Sequence, residues 1–75
     1  GINVGRYTTR YKAEQVLLAT ALREIGTLDE ALRKVARSPQ GFEANFVGMT
    51  RQEALRACDR LSAQGADCAP FGPRS

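Results

Sequence analysis

Cys58 and Cys68 are the whole thiol inventory of a chain that contains no histidine. Without an imidazole, the usual Cys-His or Ser-His nucleophile and base pair cannot be assembled, and a zinc site loses its common nitrogen ligands. Lysine and carboxylate schemes remain in principle, but the neighbouring acids Asp29 and Glu30 fall in an evident turn, where they read as solvated. No glycine loop of the phosphate-cradling type and no zinc-ligand spacing is present. Catalysis, a metal and a cofactor are therefore not expected, and binding is the class that remains. The two thiols have two outcomes, a pair of small buried hydrophobes or one disulfide, and compartment decides between them.

Elements able to position binding groups have to be found within 75 residues, which allow one small domain near the lower limit for a single apolar core. Residues 1–72 read as that domain and residues 73–75 as a tail. The net charge of +3, from eleven basic and eight acidic residues, is mild and describes a solvated surface. No apolar run approaches the ~18 residues of a membrane span, so membrane insertion is not expected. Nothing at the start has the order of a signal peptide. The chain opens at Gly1, inside the first expected strand, as a domain cut from a longer protein would.

The second major helix is the clearest element. Thr50 and Glu53 form a capping box, Met49 stands where it can staple onto Ala54, and Ala54, Ala57, Cys58 and Leu61 recur at helical spacing until Gly65 ends the helix. The first reads from a Thr8 or Thr9 cap to Gly26, with Ala13, Val16, Leu17, Ala21 and Ile25 as its apolar stripe, flanked by Leu18 and Leu22. Val4-Gly5 then Thr9-Arg10 with Ala13 is echoed by Val47-Gly48 then Thr50-Arg51 with Ala54. The echo implies one unit used twice: strand, glycine turn, capped helix.

Each helix should lead into a strand. Ala66 to Phe71 supplies the last one. The segment Thr27 to Ser38 has good helix formers, yet a strand over Leu32 to Arg37, turning through Ser38-Pro39-Gln40-Gly41 into Phe42 to Val47, makes a hairpin. The order is then βαββαβ, an α+β, ferredoxin-like arrangement of four antiparallel strands with two helices on one face. Alternation sends Ile2, Val4, Phe42, Ala44, Phe46 and Cys68 toward the helices. It leaves Asn3, Gly5, Glu43, Asn45, Asp67 and Ala69 on an open, shallow, polar face. An RNA-recognition module has this strand order but needs aromatics on that face, and here only Tyr7, near an edge, is on offer. Nucleic acid is the weaker reading.

The stretch "INVGRYTTRYKAE" resembles the opening of SPOR domains, of the form V-Q-V-G-(A/S)-(F/Y) followed by a helix, and "FEANFVGMTRQEALRACDRLSAQGADC" resembles their second half. The likeness is greatest to SPOR domains at the C-terminus of D-alanyl-D-alanine carboxypeptidases of Gram-negative bacteria. There A-C-x-x-L-x-x-x-G-x-x-C recurs, matched here by Ala57, Cys58, Leu61, Gly65 and Cys68. The resemblance covers nearly the whole chain.

That resemblance implies a periplasmic, noncatalytic module, monomeric when isolated, that binds peptidoglycan glycan strands lacking stem peptides and holds an attached cell-wall enzyme at the septum. Asn3 stands where the family commonly has glutamine, and its amide is expected to bond sugar hydroxyls or acetamides. Arg6 replaces a small residue, Glu43 stands where arginine is common, and Ala69 lies where an apolar residue lines the groove. With Gly5, which would admit a sugar ring close to the strand, and Asn45, these form the expected glycan site. A protein-docking module using the same open face is the alternative. The implied periplasmic address also turns Cys58 and Cys68 into an expected disulfide, worth roughly 2 to 3 kcal/mol by chain entropy.

Overall fold

The computed structural model describes residues 1–72, so the tail expected at 73–75 lies outside the described residues. The chain runs β1 (Ile2–Tyr7), α1 (Arg10–Arg23), α2 (Ile25–Leu28), β2 (Leu32–Ser38), β3 (Gly41–Val47), α3 (Arg51–Ala63) and β4 (Ala69–Pro70). The strands pair antiparallel in the order β2-β3-β1-β4. The fold is α+β and ferredoxin-like, with one short helix, α2, beyond the expected set. Overall extents of 30 × 29 × 20 Å fit one sheet layer and one helix layer.

Local chemistry starts each helix. The Thr9 hydroxyl accepts from the Lys12 amide at 3.1 Å and caps α1. At α3 the capping box is complete: Thr50 Oγ1 accepts from Glu53 N at 3.1 Å, and the Glu53 carboxylate accepts from Thr50 N at 2.8 Å. Gly65 follows α3 at φ +79°, a backbone conformation that costs glycine little. The doubled phrase in the sequence is doubled in space, since β1 leads to α1 as β3 leads to α3, each through a capping threonine.

One core joins the layers. Ile2, Val4, Ala44 and Phe46 from the sheet meet Ala13 and Leu17 of α1, Leu28 of α2, and Ala54, Ala57, Cys58 and Leu61 of α3. Phe46, Ile2, Leu17, Leu28 and Leu61 are the largest fully buried side chains. Each contributes about 1.5–3 kcal/mol of apolar transfer.

The first helix departs from its expected course. It stops at Arg23, Glu24 adopts φ −129° and ψ 49°, and α2 begins at Ile25. The break carries Ile25 out to 57 % exposure, so it leaves the apolar stripe assigned to it, and Leu18 and Leu22 are also exposed. Glu24 goes inward, to 3 % exposure. Its carboxylate accepts from Arg60 Nε at 2.6 Å, from the Gln64 amide and from Thr27 Oγ1 at 3.2 Å. The Arg60 hydrogen bond, stronger than the opposing effect of burial, holds this carboxyl below the ordinary glutamate range. A charged group can sit there because each carboxylate oxygen has a donor.

The last strand is shorter than expected, two residues in place of Ala66 to Phe71. Pro70 cannot donate to a ladder and is tolerated because β4 is an edge strand. Just before it, Cys58 of α3 and Cys68 form a disulfide, with Cα atoms 5.3 Å apart. The bond ties this edge of the sheet to the helix layer.

Candidate functional site

The open face is re-phased by one extra residue in β1. Asn3 stands opposite Asn45, but the next pair is Arg6 with Glu43, so three steps on β1 match two on β3. This is a β-bulge centred on Val4-Gly5, with Gly5 at φ +127°. Unbroken alternation would place Arg6 inward with Ile2 and Val4. The bulge turns Arg6 onto the open face beside Glu43 and sends Tyr7 to the helix side, where it packs against the core. Tyr7 therefore does not serve the open face near its edge.

A Cβ built on Gly5 would lie 2.5 Å from the Tyr7 hydroxyl, and that hydroxyl donates to the Val4 carbonyl at 2.9 Å. What needs closeness to the backbone on that side is the protein's own tyrosine, a different cause from the sugar ring expected there. Burial, and after it the charge of Asp67, raises the Tyr7 pKa and keeps the phenol protonated as a donor.

All six residues expected in the site gather on this face. Asn3, Gly5, Arg6, Glu43 and Ala69 line one shallow depression of about 380 Å³ together with Asp67 and Cys68, and Asn45 adjoins it through Asn3. The Asn3 amide nitrogen donates to Glu43 Oε1 at 2.9 Å and to Asn45 Oδ1 at 2.8 Å, while Asn3 Oδ1 accepts from the Gly5 amide at 3.0 Å. Arg6 donates to Gln40 Oε1 at 3.1 Å and lies 3.5 Å from Glu43 Oε2, which also accepts from Ser38 Oγ at 3.3 Å.

Counting donors and acceptors assigns the roles. Both Asn3 N–H groups are used within the protein, so Asn3 orients Glu43 and Asn45; it does not present the free amide donors expected of it. The groups left to face a ligand are the Asn45 amide donors, the remaining N–H groups of Arg6, the spare lone pairs of Glu43 and the Asp67 carboxylate. Ala69, exposed at the edge, adds a flat apolar contact. The result is a mixed array of hydrogen-bond donors and acceptors.

Three contributors escaped the sequence reading as site residues. Ser38 and Gln40 reach the face through the β2-β3 turn, a position legible only once the hairpin register is known. Asp67 had the right alternation but no motif; the adjoining Cys58–Cys68 bond fixes the segment that carries it. Among the described residues no aromatic side chain lines the depression: Phe42 and Phe46 lie on the helix side, and Phe71 lines a separate pocket with Arg51 and Leu55 of α3. The stacking platform of an RNA-recognition sheet is not formed there.

Protein-family models, curated proteins and solved structures offer no match to this chain. Among the described residues no helix is long and apolar enough to cross a membrane, and no cluster of three metal-ligating side chains occurs. The disulfide fits an oxidising, extracytoplasmic compartment.

Proposed function

We propose that this domain is a noncatalytic periplasmic module that binds peptidoglycan glycan strands lacking stem peptides and thereby holds an attached cell-wall enzyme, a D-alanyl-D-alanine carboxypeptidase, at the septum. The observation that carries the reading is the shallow polar depression on the open sheet face, where Arg6, Glu43 and Asp67, with Asn45 adjoining through Asn3, offer both donors and acceptors beside the small Ala69. Glycan stripped of peptides is a long polymer of hydroxyls and acetamides, and an open groove admits it without requiring an end. Asn45 and Arg6 donate to acetamide carbonyls and ring oxygens, Glu43 and Asp67 accept from hydroxyls, and the apolar face of a sugar ring rests on Ala69. The SPOR-like order of motifs and the disulfide support the same reading.

Cosedimentation with purified sacculi, before and after an amidase removes the stem peptides, tests it. More protein should pellet after amidase treatment, and the double variant Arg6→Ala, Asn45→Ala should bind at least tenfold more weakly while keeping its circular dichroism. Absence of binding to either preparation, or binding that amidase treatment abolishes, would overturn the proposal.

A further inference from the structure

The opposite margin of the sheet carries a surface that glycan binding does not use. In the order β2-β3-β1-β4, β2 has one strand neighbour, so a rank of backbone N–H and C=O groups along Leu32–Ser38 points away from the sheet. Between this edge and α1 runs a groove of about 510 Å³ with Leu17, Leu18 and Val35 as its apolar lining and Arg10, Arg33 and Lys34 around it. Among the described residues Glu14 is the one carboxylate in its wall. Arg37 extends the basic rim: its guanidinium and that of Arg10 lie 5.9 and 5.5 Å from the centre of the Phe42 ring.

Among the described residues these cations have no acidic partner within ion-pair distance. Among the described residues the ion pairs are Arg6 with Glu43 and Arg60 with Glu24, and Arg10, Arg33, Lys34 and Arg37 take part in neither. A second copy of the same edge would set cation against cation, so self-pairing is disfavoured and an acidic strand is admitted. Register makes the complement specific. Arg33, Val35 and Arg37 pair with Phe46, Ala44 and Phe42 and share their helix-side parity, while Lys34 pairs with Asn45 on the open side. A strand added beside β2 therefore meets, on the helix side, a cation, an apolar residue and a cation in succession.

We propose that the β2 edge binds an acidic peptide segment in extended conformation, as a fifth strand, with the pattern acid-x-apolar-x-acid. The backbone ladder supplies affinity and the three helix-side contacts supply register. The surface is separate from the glycan face, so the domain can hold a protein partner while seated on a polymer.

The test uses the end-capped, fluorescein-labelled heptapeptide TDTVTDT, its basic counterpart TKTVTKT, and two backbone N-methylated forms of the acidic peptide. One form is methylated at the four threonines, the other at the two aspartates and the valine. By fluorescence anisotropy the acidic peptide should bind and the basic one should not. Strand addition aims only one alternating set of peptide amides at β2, so one methylation pattern should abolish binding and the other should leave it within about threefold. The variant R33E/R37E should bind the acidic peptide at least tenfold more weakly and gain the basic one. Equal binding of the two charge types, equal effects of the two methylation patterns, or no binding of the acidic peptide at millimolar concentration would overturn the proposal. The methylation comparison is made on the unaltered protein and does not depend on the variant folding.

Discussion

Removing the Cys58–Cys68 bond should lower the stability of this domain by about 2.7 kcal/mol at 25 °C, the chain-entropy value for the loop it closes. The loop is set by a sequence separation of 10, and the Cα distance of 5.3 Å places the bond within ordinary reach. At about 0.05–0.15 kcal/mol per residue a chain of this size holds roughly 4–11 kcal/mol in total, so the bond accounts for a quarter of the stability or more. At about 4–8 °C per kcal/mol, the melting temperature should fall by roughly 11–22 °C. Two arms separate entropy from packing. The double variant C58A/C68A also removes a sulfur from a position only 6 % exposed, whereas reduction of the natural protein by a phosphine leaves that atom in place. Both should unfold at lower urea concentration than the oxidised form, and both should show a steeper dependence on urea, because the opened denatured chain exposes more surface. If both arms melt within about 3 °C of the oxidised protein, the bond does not restrain the unfolded chain and the reasoning fails.

Glu24 should make the fold acid-sensitive. Its folded-state pKa is depressed, so its contribution is present in full above the unfolded glutamate value of about 4.3 and is lost as pH falls through the folded value. Urea midpoints measured against pH should therefore drop more steeply below about pH 4–5 for the natural protein than for Glu24→Gln, which should be the weaker of the two at pH 7; parallel curves would contradict this. Thr50→Ala should cost about 1 kcal/mol by deleting half of the capping box at α3, read as a shift of the urea midpoint at constant slope. Gly5→Val should cost about 1–3 kcal/mol from the positive-φ backbone alone, with more for displacing Tyr7. An unchanged melting temperature would show that the bulge tolerates a side chain.

The helix starts were legible because their signals are local: a threonine, a glutamate three residues on, and an apolar stripe over the next three turns. The sheet face was legible wherever alternation held, so Asn3, Asn45 and Glu43 fell on the side assigned to them. The bulge was not, because its extra residue is a glycine, which leaves no side chain to mark the change of phase. Glu24 was hidden for the opposite reason. A carboxylate reads as solvent-facing until its donors are known, and Arg60 and Gln64 lie 36 and 40 residues away in sequence. In β2 local propensity pointed to a helix, yet Leu32, Arg33 and Lys34 are exposed on a strand. The ladder offered by β3 and the tight turn at Pro39-Gln40 decide its conformation. The functional roles were less accessible than the residues, since only the full donor count shows that Asn3 is already occupied.

The order of the strands has a consequence for how the molecule holds together as a chain. The doubled unit suggests two half-domains, β1 to β2 and β3 to β4, but β1 and β2 are not neighbours: β3 lies between them, and β4 pairs with β1. Each half supplies the strand that the other half lacks. Neither can close its own sheet, and a cut at Pro39-Gln40 would leave two fragments whose only complete ladders are those they build with each other. The two similar units form an interlocked pair, and the integrity of each resides in the other.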